Sequence, residues 1–215
     1  MVTQHPLQDH RHAMNTPNDT LDFYARHSAR FAARYDSLDP ETIHAPWKDL
    51  LPPPCRVLDA GAGTGRDAAW LAAMGYRVVA MEPVAEFRHF GNTHHAHPNI
   101  RWIDDRLPSC SAVRRLGQRF GVILAGGVWM HVAAADQPVA MSYLAGLLGR
   151  GGRLVITLRH GPSPDGRRMR AVTGKDVTKQ AAADGLSLIR DAGSPDAFSR
   201  TDIYWQALVY EKPRR

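Results

Sequence analysis

The residues whose types and spacing could do chemistry centre on one run, Val57-Leu58-Asp59-Ala60-Gly61-Ala62-Gly63-Thr64-Gly65-Arg66-Asp67. An apolar strand runs there into a glycine-rich turn that opens a helix. Glycines suit a tight turn that a ligand must approach without a Cβ in the way. The start of the helix adds free N–H groups for the ligand's polar end. A dinucleotide loop wants G-x-G-x-x-G, its third glycine letting helix and strand pack above a pyrophosphate. Here the register is Gly61-x-Gly63-x-Gly65, and Arg66 stands where that glycine belongs. An acid, Asp59, precedes the first glycine by two positions. About twenty residues after the loop opens, Glu82 ends the next apolar run, placed to accept both hydroxyls of a ribose. A charge-assisted hydrogen bond of that kind contributes roughly 1.5–3 kcal/mol.

Further polar candidates follow later strands. Trp129 and His131 come after the fourth, Arg159 and His160 after the fifth. Either histidine could take a proton from a hydroxyl or amine, and either reads equally as a hydrogen-bonded structural residue. Arg159 with Arg167, Arg168 and Arg170 could hold a carboxylate or phosphate, since guanidinium suits planar anions; a solvated basic loop is the plainer alternative. Asp196 and Arg200 lie in the last turn, which a hairpin would bring to the same sheet edge. The cluster His94-His95-Ala96-His97 has no evident carboxylate partner, and adjacent histidines on a helix end diverge, so no metal site is expected.

The elements that must position these groups alternate. Apolar runs at Arg56–Ala60, Arg77–Met81, Ile100–Ile103, Gly121–Ala125 and Arg153–Leu158 read as parallel strands. Helices are predicted between them at 66–74, about 84–93, weakly near 111–117, and at 136–148. A further helix near 175–184 precedes two runs, Leu186–Arg190 and Ile203–Tyr210. With no helix between them, these two should pair as a hairpin. Upstream, Leu21, Tyr24, Phe31 and Tyr35 recur on one face of a helix over 20–38, with Asn18 or Asp19 as its cap. Pro40 then breaks the chain, and a short helix around Trp47–Leu51 ends at three prolines. The expectation is one α/β domain over residues 19–212. It has a doubly wound, Rossmann-like, seven-stranded sheet, mostly parallel with an antiparallel C-terminal edge hairpin, and N-terminal capping helices. Residues 1–18 read as a disordered polar tail.

Composition narrows the class. The net charge of +6 is spread over scattered arginines with no long basic run, which opposes a nucleic-acid tail. Two cysteines, Cys55 and Cys110, are too few for a disulfide framework and fit a reducing, cytoplasmic setting. The longest apolar stretch, Val122–Ala135, is shorter than a bilayer needs and contains His131. The N-terminal stretch has no signal-peptide pattern.

The acid-x-Gly-x-Gly-x-Gly pattern resembles the first motif of the class I S-adenosylmethionine-dependent methyltransferases, and the resemblance spans about Leu21–Tyr210. The segments Trp102–Pro108, Val128-Trp129-Met130-His131 and Thr157–Pro162 are similar to a stand-alone bacterial subgroup. Gly121 departs from that pattern, in which aspartate is common at the start of the fourth strand. The resemblance implies that S-adenosylmethionine is the cofactor and S-adenosylhomocysteine its product. It implies cofactor contacts at Asp59, Gly61, Gly63, Gly65, Arg66, Glu82 and Gly126, with Asp104 or Asp105 at the adenine amino group. Tyr24 and Tyr35 would close over the cofactor, although core packing of that helix face serves as well. Chemistry would need only alignment of an acceptor and sometimes removal of its proton, with His131, His160 and Arg159 as candidates. Two absences bear on the acceptor. Gly126-Gly127-Val128-Trp129 stands where nucleic-acid amino methyltransferases resemble one another in an Asn/Asp-Pro-Pro-aromatic motif, and Pro54-Cys55 lies on the wrong side for a cytosine nucleophile. The leading expectation is methyl transfer to oxygen or nitrogen of a small, possibly anionic molecule, with nucleic acid and membrane partners disfavoured. Methylation of RNA or protein is the rival, as is a cofactor-binding protein without turnover. A nucleotide-dependent oxidoreductase is opposed by Arg66.

Overall fold

The computed structural model describes residues 17–163, 167 and 169–214. Of the tail expected over 1–18, residues 1–16 lie outside the described residues, as does the anion candidate Arg168, whereas Pro17 and Asn18 belong to the first helix. Helices α1 (Pro17–Arg26), α2 (Ser28–Asp36) and α3 (Pro40–Ile43) come first. Then β1 (Arg56–Ala60), α4 (Arg66–Ala73), β2 (Arg77–Met81), α5 (Ala85–His94), β3 (Ile100–Ile103) and α6 (Ser111–Arg115) alternate. They are followed by β4 (Phe120–Gly126), α7 (Gln137–Leu147), β5 (Leu148–His160), α8 (Gly174–Ala183), β6 (Ser187–Pro195) and β7 (Tyr204–Glu211). The seven strands lie in the order β3-β2-β1-β4-β5-β7-β6. Strands β1 to β5 pair in parallel, and β7 runs antiparallel between β5 and β6. The expected doubly wound sheet with an antiparallel edge hairpin is what forms.

The first three strands match their sequence-derived limits. The β5 run is longer, because Gly149, Gly151 and Gly152 carry an irregular extension beside Phe120 with a register shift in β4. The single N-terminal helix is instead two. His27 turns its Nδ1 onto the Phe23 carbonyl at 2.8 Å, and the chain bends there before α2 resumes. Asn18 and Asp19 fall inside α1, which starts at Pro17, and so are not its cap. Pro40 does not simply break the chain. It occupies the first turn of α3, where no N–H is needed, and Asp39 accepts from the N–H groups of Glu41 and Thr42.

Apolar burial explains the layering. One face of the sheet, with Leu58, Ile123, Leu154, Ile156 and Leu208, packs on α7 and α8 through Met141, Leu144, Val177 and Ala181. The other face, with Val57, Val78 and Val122, packs on α4 through Ala68, Leu71 and Ala72. Gly121 has a steric reason for departing from aspartate: a Cβ there would meet the Cys55 sulfur at 2.6 Å. Burial pushes the Cys110 thiol up to about 12, so it stays a protonated core residue.

Candidate active site

At the carboxyl ends of β1, β4 and β5, roofed by α1 and α2, lies a cavity of about 580 Å3. It is continuous from the glycine turn to the β6–β7 turn, and its two ends differ in charge.

The glycine end is set by backbone shape. Gly61, Gly63 and Gly65 all take positive φ. At Gly65 a Cβ would also strike the Trp102 ring at 2.6 Å, so that ring packs against bare backbone. Above Gly63 the space is open: the nearest atom to a Cβ would be Tyr35 Cδ2 at 4.0 Å. Glu82 lines this end and is 5% exposed. Its Oε2 accepts from Gly63 N at 2.9 Å and its Oε1 from Val84 N at 2.8 Å. Burial outweighs these donors and pushes its carboxyl up to about 7.

Arg66 and Asp67 open α4 and both line the cavity. Arg66 grips both Asp67 oxygens and donates to the Tyr35 carbonyl at 2.9 Å. Burial alone would raise Asp67, but the adjacent His44 imidazole (Nε2 3.0 Å from Oδ1) and the Arg66 guanidinium hold it well below the usual carboxylate range. Asp59 is buried beneath, and is not among the residues that line the cavity. Its Oδ2 has no hydrogen-bond partner among the described residues, and burial, then the Asp67 charge, raise it well above its ordinary value.

The other end is basic and aromatic. Tyr24, Phe31, Arg34 and Tyr35 come down from α1 and α2. Gly126, Gly127, Val128 and His131 follow β4, while Arg159, Arg167, Phe198, Arg200 and Trp205 arrive from the C-terminal third. Tyr24 Oη lies 3.1 Å from His131 Nε2 and accepts from Arg167 Nη1 at 3.3 Å. Arg200 is held by both oxygens of Asp196, at 2.8 and 2.7 Å. Arg159 is 8% and Arg167 7% exposed. Burial, then the charges of Arg200 and Arg167, lower the Arg159 pKa from its ordinary value.

Five of the expected site residues, Asp59, Gly65, Asp104, Asp105 and His160, do not line the cavity. His160 does not reach the cavity. It neighbours Arg159 on a strand, so the two side chains point to opposite faces, and its Nε2 meets Gln206 Oε1 at 3.1 Å while Tyr204 stacks on its ring. Asp105 spends both oxygens on the N–H groups of Arg106 and Val113, which fixes the start of α6. Asp104 points outward, 68% exposed, and pairs with Arg88; neither aspartate lines the cavity. Asp59, expected to contact the cofactor, sits below the lining instead. The histidine cluster is dispersed: His95 Nε2 meets Asp36 Oδ2 at 2.8 Å, and His94 turns to the Phe90 carbonyl. Sequence reasoning missed Arg34, Asp67, Phe87 and Trp205 as lining residues. Arg34 and Asp67 adjoin residues that were singled out, whereas Phe87 and Trp205 carried no local signal.

A family profile described as a methyltransferase domain matches residues 19–207. The chain belongs to that methyltransferase family. Its cofactor is S-adenosylmethionine. The enzyme's fold is shared with a Burkholderia thailandensis 1,6-didemethyltoxoflavin N1-methyltransferase solved with 1,6-didemethyltoxoflavin and S-adenosylhomocysteine. That match has 21% identity and a TM-score of 0.69, and covers 98% of this chain and 93% of that one. It is also shared with the Synechocystis magnesium protoporphyrin IX methyltransferase bound to S-adenosylhomocysteine (18% identity, TM-score 0.67, 92% and 100% covered). A TehB-like methyltransferase from Corynebacterium glutamicum matches at 22% identity and a TM-score of 0.63, over 87% and 98% of the chains. No protein of curated function matches the sequence. Among the described residues no helix of the methyltransferase is long and apolar enough to cross a membrane.

The residues present fit the adenosyl cofactor. The open cradle over Gly63 admits a ligand against the backbone, and Glu82 faces the cavity with lone pairs left beyond its two backbone donors. Beneath it, Asp59 Oδ2 is a buried polar atom with no partner among the described residues.

Proposed function

We propose that the methyltransferase acts on an oxygen or nitrogen of a small molecule held at the basic, aromatic end of the cavity. The observation that carries this reading is the roof. Helices α1 and α2 cover a single continuous chamber, with the glycine cradle at one end and the Tyr24–His131 pair at the other. Such a chamber suits a compact acceptor better than a polymer.

In this reading Glu82 accepts the ribose hydroxyls, and Gly61, Gly63 and Gly126 let the cofactor lie on bare backbone. Asp67, held ionised by His44 and Arg66, supplies the negative field beneath the cationic part of the cofactor. Arg66 acts through structure, joining the loop to the roof at the Tyr35 carbonyl. Tyr35, above Gly63, closes over the cofactor. When bound, the cofactor would supply an electrophilic methyl on its sulfonium, with a neutral thioether as leaving group. Arg167 donates to the Tyr24 oxygen, which leaves the Tyr24 proton for His131 Nε2 in the tautomer protonated at Nδ1. His131 then takes the acceptor's proton through the Tyr24 hydroxyl, while the aromatic walls hold the acceptor in line.

The test is to incubate the protein with methyl-labelled cofactor and a cell extract, then fractionate and weigh the labelled products. Label should enter a compound of low mass, and His131→Ala should prevent it. Label confined to RNA or to protein would overturn the small-molecule reading.

A further inference from the structure

Two arginines in the cavity are buried with donors that nothing among the described residues satisfies. Arg159 Nη2 and Arg167 Nε have no hydrogen-bond partner among the described residues, although both side chains are more than nine-tenths buried and line the cavity. Their remaining donors are weakly used. Arg159 Nη1 reaches the Gly161 carbonyl only at 3.4 Å and the Met169 sulfur at 3.7 Å. Arg167 Nη1 reaches the Tyr24 phenol at 3.3 Å. A buried guanidinium is ordinarily matched by an anion, because taking its charge out of water is costly. Arg200 shows what a matched one looks like here, since Asp196 meets it through both oxygens. The other acid of that kind in the cavity, Asp67, is spent on Arg66, and Glu82 stands at the far end against Gly63.

The surroundings specify shape as well as charge. Arg167 lies 4.8 Å over the Phe31 ring, Arg34 lies 4.4 Å over Phe198, and Trp205 flanks Gly127. These faces favour a flat ring. Resting on the proposed acceptor site, we infer that the acceptor is a planar aromatic or heteroaromatic acid whose carboxylate is clamped by Arg159 and Arg167. Its methylated hydroxyl or amine then faces Tyr24 and His131. A second carboxylate exists in the cofactor itself. Arg159, however, is on β5, two strands from the β1 glycine turn, a separation of roughly 9–10 Å.

The test uses the full chain, with benzoate and its neutral isostere benzamide as probes, followed by calorimetry and tryptophan fluorescence. S-adenosylhomocysteine is titrated first, then each probe into the loaded protein. Benzoate should bind at least tenfold more tightly than benzamide. Arg159→Gln or Arg167→Gln should abolish that preference while changing S-adenosylhomocysteine affinity by less than twofold. Arg159→Lys, which keeps the charge, should retain part of the preference, a result that general damage to the fold would not give. Equal binding of the two probes, or no benzoate binding, would overturn the anion subsite and leave the cofactor reading standing. Loss of S-adenosylhomocysteine affinity in the glutamine variants would assign the arginines to the cofactor's carboxylate instead. Failure of S-adenosylhomocysteine to bind the unaltered protein would overturn both.

Discussion

The glycine end of the cavity is drawn mainly from residues 61–87, joined by Tyr35 of the roof and by His44 at the end of α3, and its polar groups answer one another. Glu82 is met by two backbone donors, Arg66 by Asp67 and Tyr35, and Thr64 by Asp36. The opposite end gathers Tyr24 and Arg34 with His131, Arg159, Arg167 and Trp205, from segments spread over most of the chain. There Arg200 is matched by Asp196, but Arg159 and Arg167 keep donors without partners among the described residues. The first end is a contiguous device, and in the proposed reading it holds the cofactor. The second is assembled only by the complete fold, and its surplus charge is left for a molecule the chain does not contain.

The largest effect that would sharpen this contrast is backbone failure at the contiguous end. Gly65→Val combines a positive φ of 87° with a Cβ that meets Trp102 at 2.6 Å. It should lower unfolding free energy by about 2–4 kcal/mol in urea melts. At the dispersed end, His131→Ala should cut turnover by about a hundredfold while cofactor affinity stays within twofold. Equal losses of both would recast His131 as structural.

Glu82→Ala should weaken S-adenosylhomocysteine binding at least tenfold by calorimetry; unchanged affinity would remove the ribose role. The same residue gives a pH signature. Its carboxyl titrates at about 7 in the folded chain, above its ordinary 4.5. Between those values the folded protein holds a proton that the unfolded chain does not. Burial of this group therefore costs stability increasingly as pH rises from about 4.5 to 7. Ribose donors favour the carboxylate, so binding near neutrality expels that proton. Affinity should fall below pH 7 by up to roughly tenfold per unit, and Glu82→Gln should flatten the profile. The smallest effect belongs to His160→Ala, which should leave turnover within twofold, because that ring faces α8 and not the cavity.

How far the sequence could be read follows the same divide. The glycine register, Glu82 and the limits of β1 to β3 were legible because period, turn chemistry and spacing are local properties. The bend at His27 was not, since a side chain competing for the Phe23 carbonyl leaves the apolar period intact. Strand alternation was available to separate Arg159 from His160, and the position of both after one strand obscured it. Asp105 looked like a ligand to adenine, but its use as the anchor of α6 depends on where Val113 lands. From sequence, Arg159 and Arg167 could hold an anion, with a solvated basic loop as the plainer alternative. Only the descent of α1 and α2 onto them makes them interior.

Among the ties that hold that descent, one group lies at the end of α2. The last turn of α2 is tied by Asp36 to the Thr64 hydroxyl and to His95, and by the Tyr35 carbonyl to Arg66. The helices that shelter the acceptor are thus bolted to the same turn that carries the cofactor. A substitution that severs these ties would therefore disturb shelter and cradle together.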